Sequence, residues 1–256
     1  MIDDMTASQL AVELLEARRA RRTVAPLTGR IALTMDDAYR IQSLVTAARV
    51  TRGERVVGWK LGYTSAAMRE QMGVEQPNFG PLTDAMLLEN GSVAADHLTQ
   101  PRVEPEIGFF LARPLGGADI TRHDALAAVE VAVACLEVVD SVYTGYRFQV
   151  EDNTADGSSA AQVVVGPVLG GDVDLADVEV VFARNGERVG TARGAAAMGH
   201  PAESLAWLAR RQPLEARQLV ITGGLTAAVP LGPGDVCSAL FGESAGVTVR
   251  GPAIRL

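Results

Sequence analysis

The stretch RVEPEIGFFLAR, residues 102–113, places Glu104 and Glu106 directly before an apolar run. Residues two apart on a strand point to the same face, so the two carboxylates are expected to project together. Like charges this close repel each other unless a proton, a base or a metal ion intervenes. An exposed strand edge would let water solvate both groups, but the switch to Ile-Gly-Phe-Phe places the pair at the edge of the core.

A third carboxylate, Glu137, lies in the apolar stretch AVEVAVACLEVVDSVY, with Asp140 three residues later. Burying a lone ionised carboxylate is costly, so Glu137 needs a compensating partner. Three acids without a matching cluster of bases suggest a divalent cation. Ligands that are all oxygen favour Mg²⁺ or Mn²⁺ over zinc. Spacing alone leaves a metal site and a solvated acidic rim equally open.

Charge and composition exclude several classes of protein. The formal net charge of −8 argues against a nucleic-acid partner, which would require a surplus of Lys and Arg. Two cysteines make neither a disulfide framework nor a zinc site. The acidic N-terminus does not resemble a signal peptide, and no apolar run is long enough to span a membrane. We therefore expect a cytoplasmic protein without a membrane partner.

Helical periodicity marks the first part of the chain. Residues 6–24 carry an apolar stripe and end in arginines, which suit the negative end of a helix dipole. Residues 33–50 form a second predicted helix, with Thr34 as the N-cap and Asp37 completing a variant of the capping box. A shorter helix is predicted over residues 66–73.

Short β-rich runs dominate the rest of the chain. One strand is predicted early, over residues 55–65, and further runs follow from residue 93, separated by Gly, Asn and Asp. The dipeptide Asn185-Gly186 predicts a hairpin with a type I′ turn. The pattern predicts a helical region over residues 1–92, which carries the early strand, and a β-rich region over residues 93–256.

Four motifs resemble one known family: GWKLGYTSAAMREQMGVEQPNFGPLTDAMLL, PRVEPEIGFFLARPL, LEVVDSVY and ITGGLTAAVPLGPGD. They are similar to the hydratase and decarboxylase branch of the fumarylacetoacetate hydrolase superfamily. Its members include 2-hydroxypenta-2,4-dienoate hydratases and 4-oxalocrotonate (2-oxohex-3-enedioate) decarboxylases of aromatic meta-cleavage pathways. The resemblance runs from about residue 35 to the C-terminus.

The resemblance implies an α+β fold, in which a mixed, rolled β-structure follows a smaller helical N-terminal segment. It implies that Glu104, Glu106 and Glu137 bind Mg²⁺ or Mn²⁺, that Lys60 is catalytic, and that the substrate is a small 2-oxo acid. Members of the family are usually homo-oligomers. The implied substrate-binding residues are Asn78, Ser159 and Thr226. Burial beside a metal is expected to lower the pKa of Lys60; the alternative is a surface lysine at the end of a strand.

Two cues favour decarboxylation over hydration. The family's hydratases usually carry Asp in a PDFG motif, whereas this chain has Asn78, which cannot act as a base. The segment TGGLTAAVP also resembles the decarboxylases more than the hydratases. We therefore predict decarboxylation of a 4-oxalocrotonate-like substrate. Hydration of 2-hydroxypenta-2,4-dienoate and a non-catalytic protein that binds 2-oxo acids remain the alternatives.

Three positions depart from the family pattern. Val142 stands where the family has Arg, Gly157 where it has Asn, and Gln162 where decarboxylases often carry Arg. Neither Val nor Gln can bind a carboxylate through two parallel hydrogen bonds as Arg does. These departures suggest a different substrate, larger or less charged than the usual dicarboxylate.

Overall fold

The computed structural model describes residues 1–66, 69–70, 73–170 and 173–253. Two helices come first, α1 (Asp4–Arg19) and α2 (Met35–Thr51). The predicted capping box at the start of α2 is confirmed. Thr34 Oγ1 accepts a hydrogen bond from the Asp37 amide, and the Asp37 carboxylate accepts one from the Thr34 amide. Both bonds satisfy amide groups that the first helical turn leaves free.

The remaining elements are mostly strands, as the sequence predicts. The strands are β1 (Val56–Gly62), β2 (Asn78–Thr83), β3 (Leu87–Glu89), β4 (Arg102–Leu111), β5 (Val129–Val139), β6 (Ala160–Val168), β7 (Glu179–Arg184), β8 (Glu187–Arg193), β9 (Leu219–Ile221), β10 (Val229–Pro230), β11 (Val236–Phe241) and β12 (Ala245–Arg250). The further helices are α3 (Arg122–Ala128), α4 (Val150–Ala155) and α5 (Pro201–Ala209). Single 3₁₀ turns occupy Leu27–Gly29, Asp84–Met86, Thr144–Tyr146 and Gly194–Ala196.

The strands form two sheets. The larger has the order β2-β1-β9-β4-β5-β6-β3, with β10 paired to β4, and the smaller has the order β12-β11-β7-β8. The larger sheet is mixed, because β1 runs parallel to β9 and β3 runs parallel to β6 while the other pairs are antiparallel. Asn185 and Gly186 connect β7 to β8, and both have positive φ, as a type I′ turn requires.

The larger sheet extends across the boundary predicted at residue 92. Strands β1, β2 and β3 precede that residue, yet they pair within the same sheet as β4, β5 and β6. The mixed β-structure therefore begins at β1, and α1, α2 and one 3₁₀ turn precede it. Lys60 thus belongs to the same sheet as the three glutamates.

Two apolar clusters hold the fold together. The larger cluster joins the inner faces of both sheets to α5 and includes Ile107, Leu136 and Val247. The second cluster packs α1 and α2 against Val142 and Tyr143, which follow β5. The helical segment is therefore fixed to the chain that leaves the central strands.

The lengths of the described helices can be compared with the length that a membrane-spanning helix needs. The longest described helix, α2, has 17 residues. Within the described ranges, no helix combines the length and apolar character needed to cross a bilayer. The helix predicted over 66–73 includes positions outside the described residues.

Leu136 provides a test of the larger cluster. Its side chain is fully buried, whereas Leu240, in β11, is 40% exposed. We expect Leu136→Ala to lower the free energy of unfolding by about 2–5 kcal/mol, because truncation removes buried methyl groups and leaves a cavity. The matched variant Leu240→Ala should lose less than about 1 kcal/mol. Urea denaturation measures both values, and equal losses would contradict this description of the core.

Candidate metal centre and active site

The pairing of β4 with β5 brings three carboxylates together. Glu104 lies directly opposite Glu137 in the antiparallel register, and Glu106 lies two residues further along β4. All three side chains share one face of the sheet because side chains alternate along a strand. One oxygen from each carboxylate lies within 4.8 Å of the others. The convergence predicted from the sequence is therefore present in the structure.

The three acids lie in a poorly solvated environment. Glu106 and Glu137 are fully buried, and Glu104 is partly buried. Burial, reinforced by the charge of Glu137, raises the pKa of Glu104 to about 7. Burial and the charges of Glu137 and Glu104 also raise the pKa of Glu106 well above its ordinary value. The protein alone therefore does not fully compensate three negative charges here.

Unused oxygen atoms show that a cation fits this site. Glu106 Oε2 accepts a hydrogen bond of 2.7 Å from the amide of Gly223. Glu106 Oε1 and Glu137 Oε1 are buried and have no hydrogen-bond partner among the described residues. Buried carboxylate oxygens are costly when unpaired, and a ligand set made only of oxygen suits Mg²⁺ or Mn²⁺. Glu104, Glu106 and Glu137 would hold such an ion.

Lys60 on β1 borders the acidic cluster. Its Nζ lies 2.9 Å from Glu137 Oε2 and donates a 3.0 Å hydrogen bond to the carbonyl of Ser158. Burial favours a lower pKa, as the sequence suggests, but the charges of Glu137, Glu106 and Glu104 outweigh burial and raise the pKa of Lys60. The surface-lysine alternative is wrong, because the side chain is only 3% exposed. Lys60 is also the only lysine in the chain.

A strained turn presents the carbonyl that Lys60 contacts. Gly157, Ser158 and Ser159 follow one another with φ of 70°, 56° and 58°. Non-glycine residues adopt this left-handed region at an energetic cost, and such strain tends to occur at functional sites. Gly157 suits the conformation, as does the Asn found in the family, so this departure keeps the backbone geometry. Ser158 was not among the predicted site residues, although a run of Asp-Gly-Ser-Ser favours a turn.

Asn78 and Ser159 belong to a buried polar network beside Lys60. The Asn78 amide donates to Asn153 Oδ1 and to Thr154 Oγ1, and its oxygen accepts from Ser158 Oγ. Ser159 Oγ accepts from the Asn153 amide. Both predicted residues therefore lie near Lys60 and have partners within the protein. Their contact with substrate stays a prediction.

Thr226 lies further along the loop after β9. It is partly buried, and its side chain packs close to Gly190 on β8. Thr226 is two residues from Gly224, which contacts Glu104. Its predicted contact with substrate likewise stays a prediction.

Two glycines that the sequence analysis did not single out form a wall of the site. A Cβ on Gly224 would lie 2.1 Å from Glu104 Oε2, and one on Gly223 would lie 2.0 Å from Thr64 Oγ1. Gly223 also has a φ of 100°, which other residues rarely adopt. The Thr-Gly-Gly motif after β9 therefore permits close approach of the backbone to two of the three acids.

Other residues highlighted in the sequence lie away from the cluster. Val142 packs in the second apolar cluster. The Gln162 side chain accepts a hydrogen bond from the amide of Ala95. Asp140 accepts hydrogen bonds from the amides of Thr99 and Gln100. The departures at positions 142 and 162 therefore do not place a changed side chain among the three glutamates.

Comparison with known proteins places this site in a family. Residues 55–249 match the family model described as fumarylacetoacetate (FAA) hydrolase C-terminal. The chain belongs to the fumarylacetoacetate hydrolase family, which confirms the resemblance and the predicted fold class.

Relatives with several activities resemble the chain. It is 40% identical over 233 residues to a 2-hydroxyhexa-2,4-dienoate hydratase of Comamonas testosteroni, covering 87% of this chain and 88% of the relative. It is 38% identical over 236 residues to a 4-oxalocrotonate decarboxylase of Pseudomonas sp, covering 90% and 92%. A solved 4-oxalocrotonate decarboxylase from Pseudomonas putida G7, complexed with magnesium and adipate, superposes with a TM-score of 0.94 at 32% identity over 98% of this chain and 99% of that one. These relatives are lyases.

Replacing one glutamate tests the metal centre. At a free ion concentration of 100 times Kd, Mg²⁺ or Mn²⁺ should stabilise the protein by about 2.7 kcal/mol. We expect Glu106→Gln to abolish most of this gain and to leave the metal-free protein at least as stable, because one of three crowded charges is removed. Thermal unfolding with and without ion measures the gain. The exposed Glu130 of β5 provides the control Glu130→Gln, which should keep the full stabilisation by the ion. If Glu106→Gln is stabilised by the ion as much as the wild type is, the three glutamates are not the metal site.

Gly224 tests the close backbone approach. Gly224→Ala places a methyl group in the space of Glu104 Oε2 and should displace that carboxylate. We expect the affinity for Mn²⁺ to fall about 10–100-fold, as for groups that orient metal ligands. Gly246→Ala is the matched control, since a Cβ there meets nothing within 4 Å. Isothermal titration with Mn²⁺ measures both, and equal affinities would show that Gly224 does not position Glu104.

Proposed function

We propose that the protein is a divalent-metal-dependent lyase that acts on a small 2-oxo acid or its dienol. The observation that carries this proposal is the set of three converging carboxylates with two unpaired buried oxygens, bordered by Lys60. A 2-oxo acid offers its C1 carboxylate and its 2-oxo oxygen in one plane, so it suits a metal centre with open positions. The named lyases among the relatives support the same class of reaction.

Mg²⁺ or Mn²⁺ is the proposed cofactor. The three ligands are hard oxygen donors, and no cysteine or histidine belongs to the cluster formed by the described residues. When bound, the ion supplies Lewis-acid stabilisation for negative charge on the 2-oxygen. The magnesium in the solved decarboxylase supports this choice.

We assign decarboxylation of 2-oxohex-3-enedioate as the first candidate reaction. The bond between C5 and C6 breaks, C6 leaves as CO₂, and the electron pair moves through the conjugated system onto the 2-oxygen. A proton on that oxygen then gives 2-hydroxypenta-2,4-dienoate. The Lys60 side chain lies beside the cluster, with Nζ 2.9 Å from Glu137 Oε2, where its ammonium group would stabilise the developing charge and supply that proton.

Hydration of 2-hydroxypenta-2,4-dienoate is the second candidate. It is favoured by the hydratase from Comamonas testosteroni, which is about as similar to this chain as the decarboxylase from Pseudomonas sp. Asn78 is not suited to activate the water, because an amide is not a base. Its side-chain nitrogen and oxygen also already form hydrogen bonds within the protein. This difference favours decarboxylation. Binding without turnover is the remaining alternative.

We also propose that the chain acts in the cytoplasm as a homo-oligomer. Both statements come from the family resemblance and from the composition. Its net charge of −8 is unsuited to a nucleic-acid partner. Size-exclusion chromatography with light scattering measures the oligomeric state directly.

The role of Lys60 is tested by two substitutions. With Mg²⁺ and 2-oxohex-3-enedioate, the wild type should release CO₂ and form the ultraviolet-absorbing dienol. We expect Lys60→Met to lower kcat by about 10²–10⁴-fold, the range for loss of a general acid. Lys60→Arg keeps the charge opposite Glu137 but holds its proton too tightly to transfer it, so it should also be slow.

Stabilisation by metal is the control for these variants. Lys60→Arg should still gain stability from Mg²⁺, which shows that the glutamates remain in place. Full activity in Lys60→Arg would remove the proton-transfer role. If the wild type instead consumes 2-hydroxypenta-2,4-dienoate without CO₂, hydration is the reaction, and binding without turnover of either compound would indicate a non-catalytic protein.

A further inference from the structure

A cleft of about 450 Å³ is lined in part by residues that follow β1. Thr64 and Arg69 line it from one side, and Ala195, Ala196 and Met198 line it from the other. Arg69 is the one charged residue among the described residues that line the cleft. The volume falls in the range of sites for small molecules. The cleft therefore combines one cation with a largely apolar opposite wall.

Thr64 connects this cleft to the metal centre. Its side chain lies against Gly223, whose amide donates to Glu106. Thr64 is only 2% exposed, and its hydroxyl has no hydrogen-bond partner among the residues that the structure describes. A buried hydroxyl without a partner is costly, so its position between the cleft and the acids indicates a polar ligand there.

Arg69 is held in place by only part of its guanidinium group. Nη1 donates 2.8 Å hydrogen bonds to the carbonyls of Tyr63 and Thr64. These bonds orient the plane of the group. Neither Nε nor Nη2 donates to another of the described residues, so the edge that they form can take a further acceptor. That edge matches the two oxygens of a carboxylate.

We infer that Arg69 recognises the second carboxylate of a dicarboxylic 2-oxo acid, whose keto-acid end lies at the three glutamates. This inference rests on the proposed function and adds the residue that distinguishes a dicarboxylate from a monocarboxylate. The cation comes from the segment after β1 and not from positions 142 or 162, which lie away from the glutamates. Thr64 then donates to the ligand between the two ends.

The chemistry predicts how Arg69 affects the kinetics. A carboxylate that departs as CO₂ carries its full charge in the ground state and loses that charge in the transition state. A cation beside it therefore strengthens substrate binding without accelerating the reaction. Loss of Arg69 should raise KM for the dicarboxylate while kcat stays equal or increases.

Substitution of Arg69 tests the inference through binding as well as turnover. We expect Arg69→Gln to weaken adipate binding about 10–100-fold, the effect of losing hydrogen bonds to a charged group. Binding of the monocarboxylate 2-oxopentanoate in the presence of Mg²⁺ should change less than about 3-fold. Arg69→Lys keeps the charge without the planar edge and should lie between wild type and Arg69→Gln. Isothermal titration measures both ligands.

The exposed Arg193 of β8 provides the control Arg193→Gln, which should match the wild type. If Arg69→Gln weakens both ligands equally, Arg69 only supports the turn at Tyr63 and Thr64, and the inference fails. It fails also if wild type binds adipate no better than hexanoate. If adipate binding depends on Arg69 but no 2-oxo acid is turned over, the recognition site stands and the proposed reaction is wrong.

Discussion

Mutual repulsion among three crowded carboxylates, two of them fully buried, shapes the rest of the site. Glu104, Glu106 and Glu137 lie within 4.8 Å of one another where water is scarce. Lys60 and the Gly223 amide offset part of the charge. The raised pKa values of Glu104 and Glu106 show that this compensation is incomplete. A divalent cation supplies what is missing, so the same repulsion that disfavours the protein alone favours metal binding.

The surrounding backbone is shaped by this requirement. Gly223 and Gly224 have no side chain, and the space of their missing Cβ atoms is taken by Thr64 and Glu104. On the other side, Ser158 adopts a left-handed conformation that directs its carbonyl to Lys60. Such conformations cost about 1–3 kcal/mol each and persist only where surrounding contacts support them. Here the support includes the Asn78 network and the buried amide groups around it.

The relatives named as hydratases and decarboxylases support the proposed keto-acid chemistry, whereas the reaction outcome depends on the groups around the metal centre. Hydratases and decarboxylases resemble the chain to similar degrees. The names of these relatives therefore do not distinguish hydration from decarboxylation, since one fold can host several reactions. The choice depends on the residues around the metal centre. An amide at position 78 and the ammonium group of Lys60 fit decarboxylation better than hydration, and a cation in the adjacent cleft fits binding of a distal carboxylate. This combination is consistent with a dicarboxylic substrate.

Local sequence patterns predict the alternation that puts Glu104 and Glu106 on one face, the burial of Glu137, the capping box at Thr34 and the turn at Asn185-Gly186. Each depends on neighbouring residues, so local periodicity reveals it. The folded chain was needed to show that Glu104 faces Glu137, that β1 joins the same sheet, and that Val142 and Gln162 lie away from the glutamates. Strand register and the approach of Gly223 to Thr64 arise from contacts between segments far apart in the chain, and no local pattern encodes those distances.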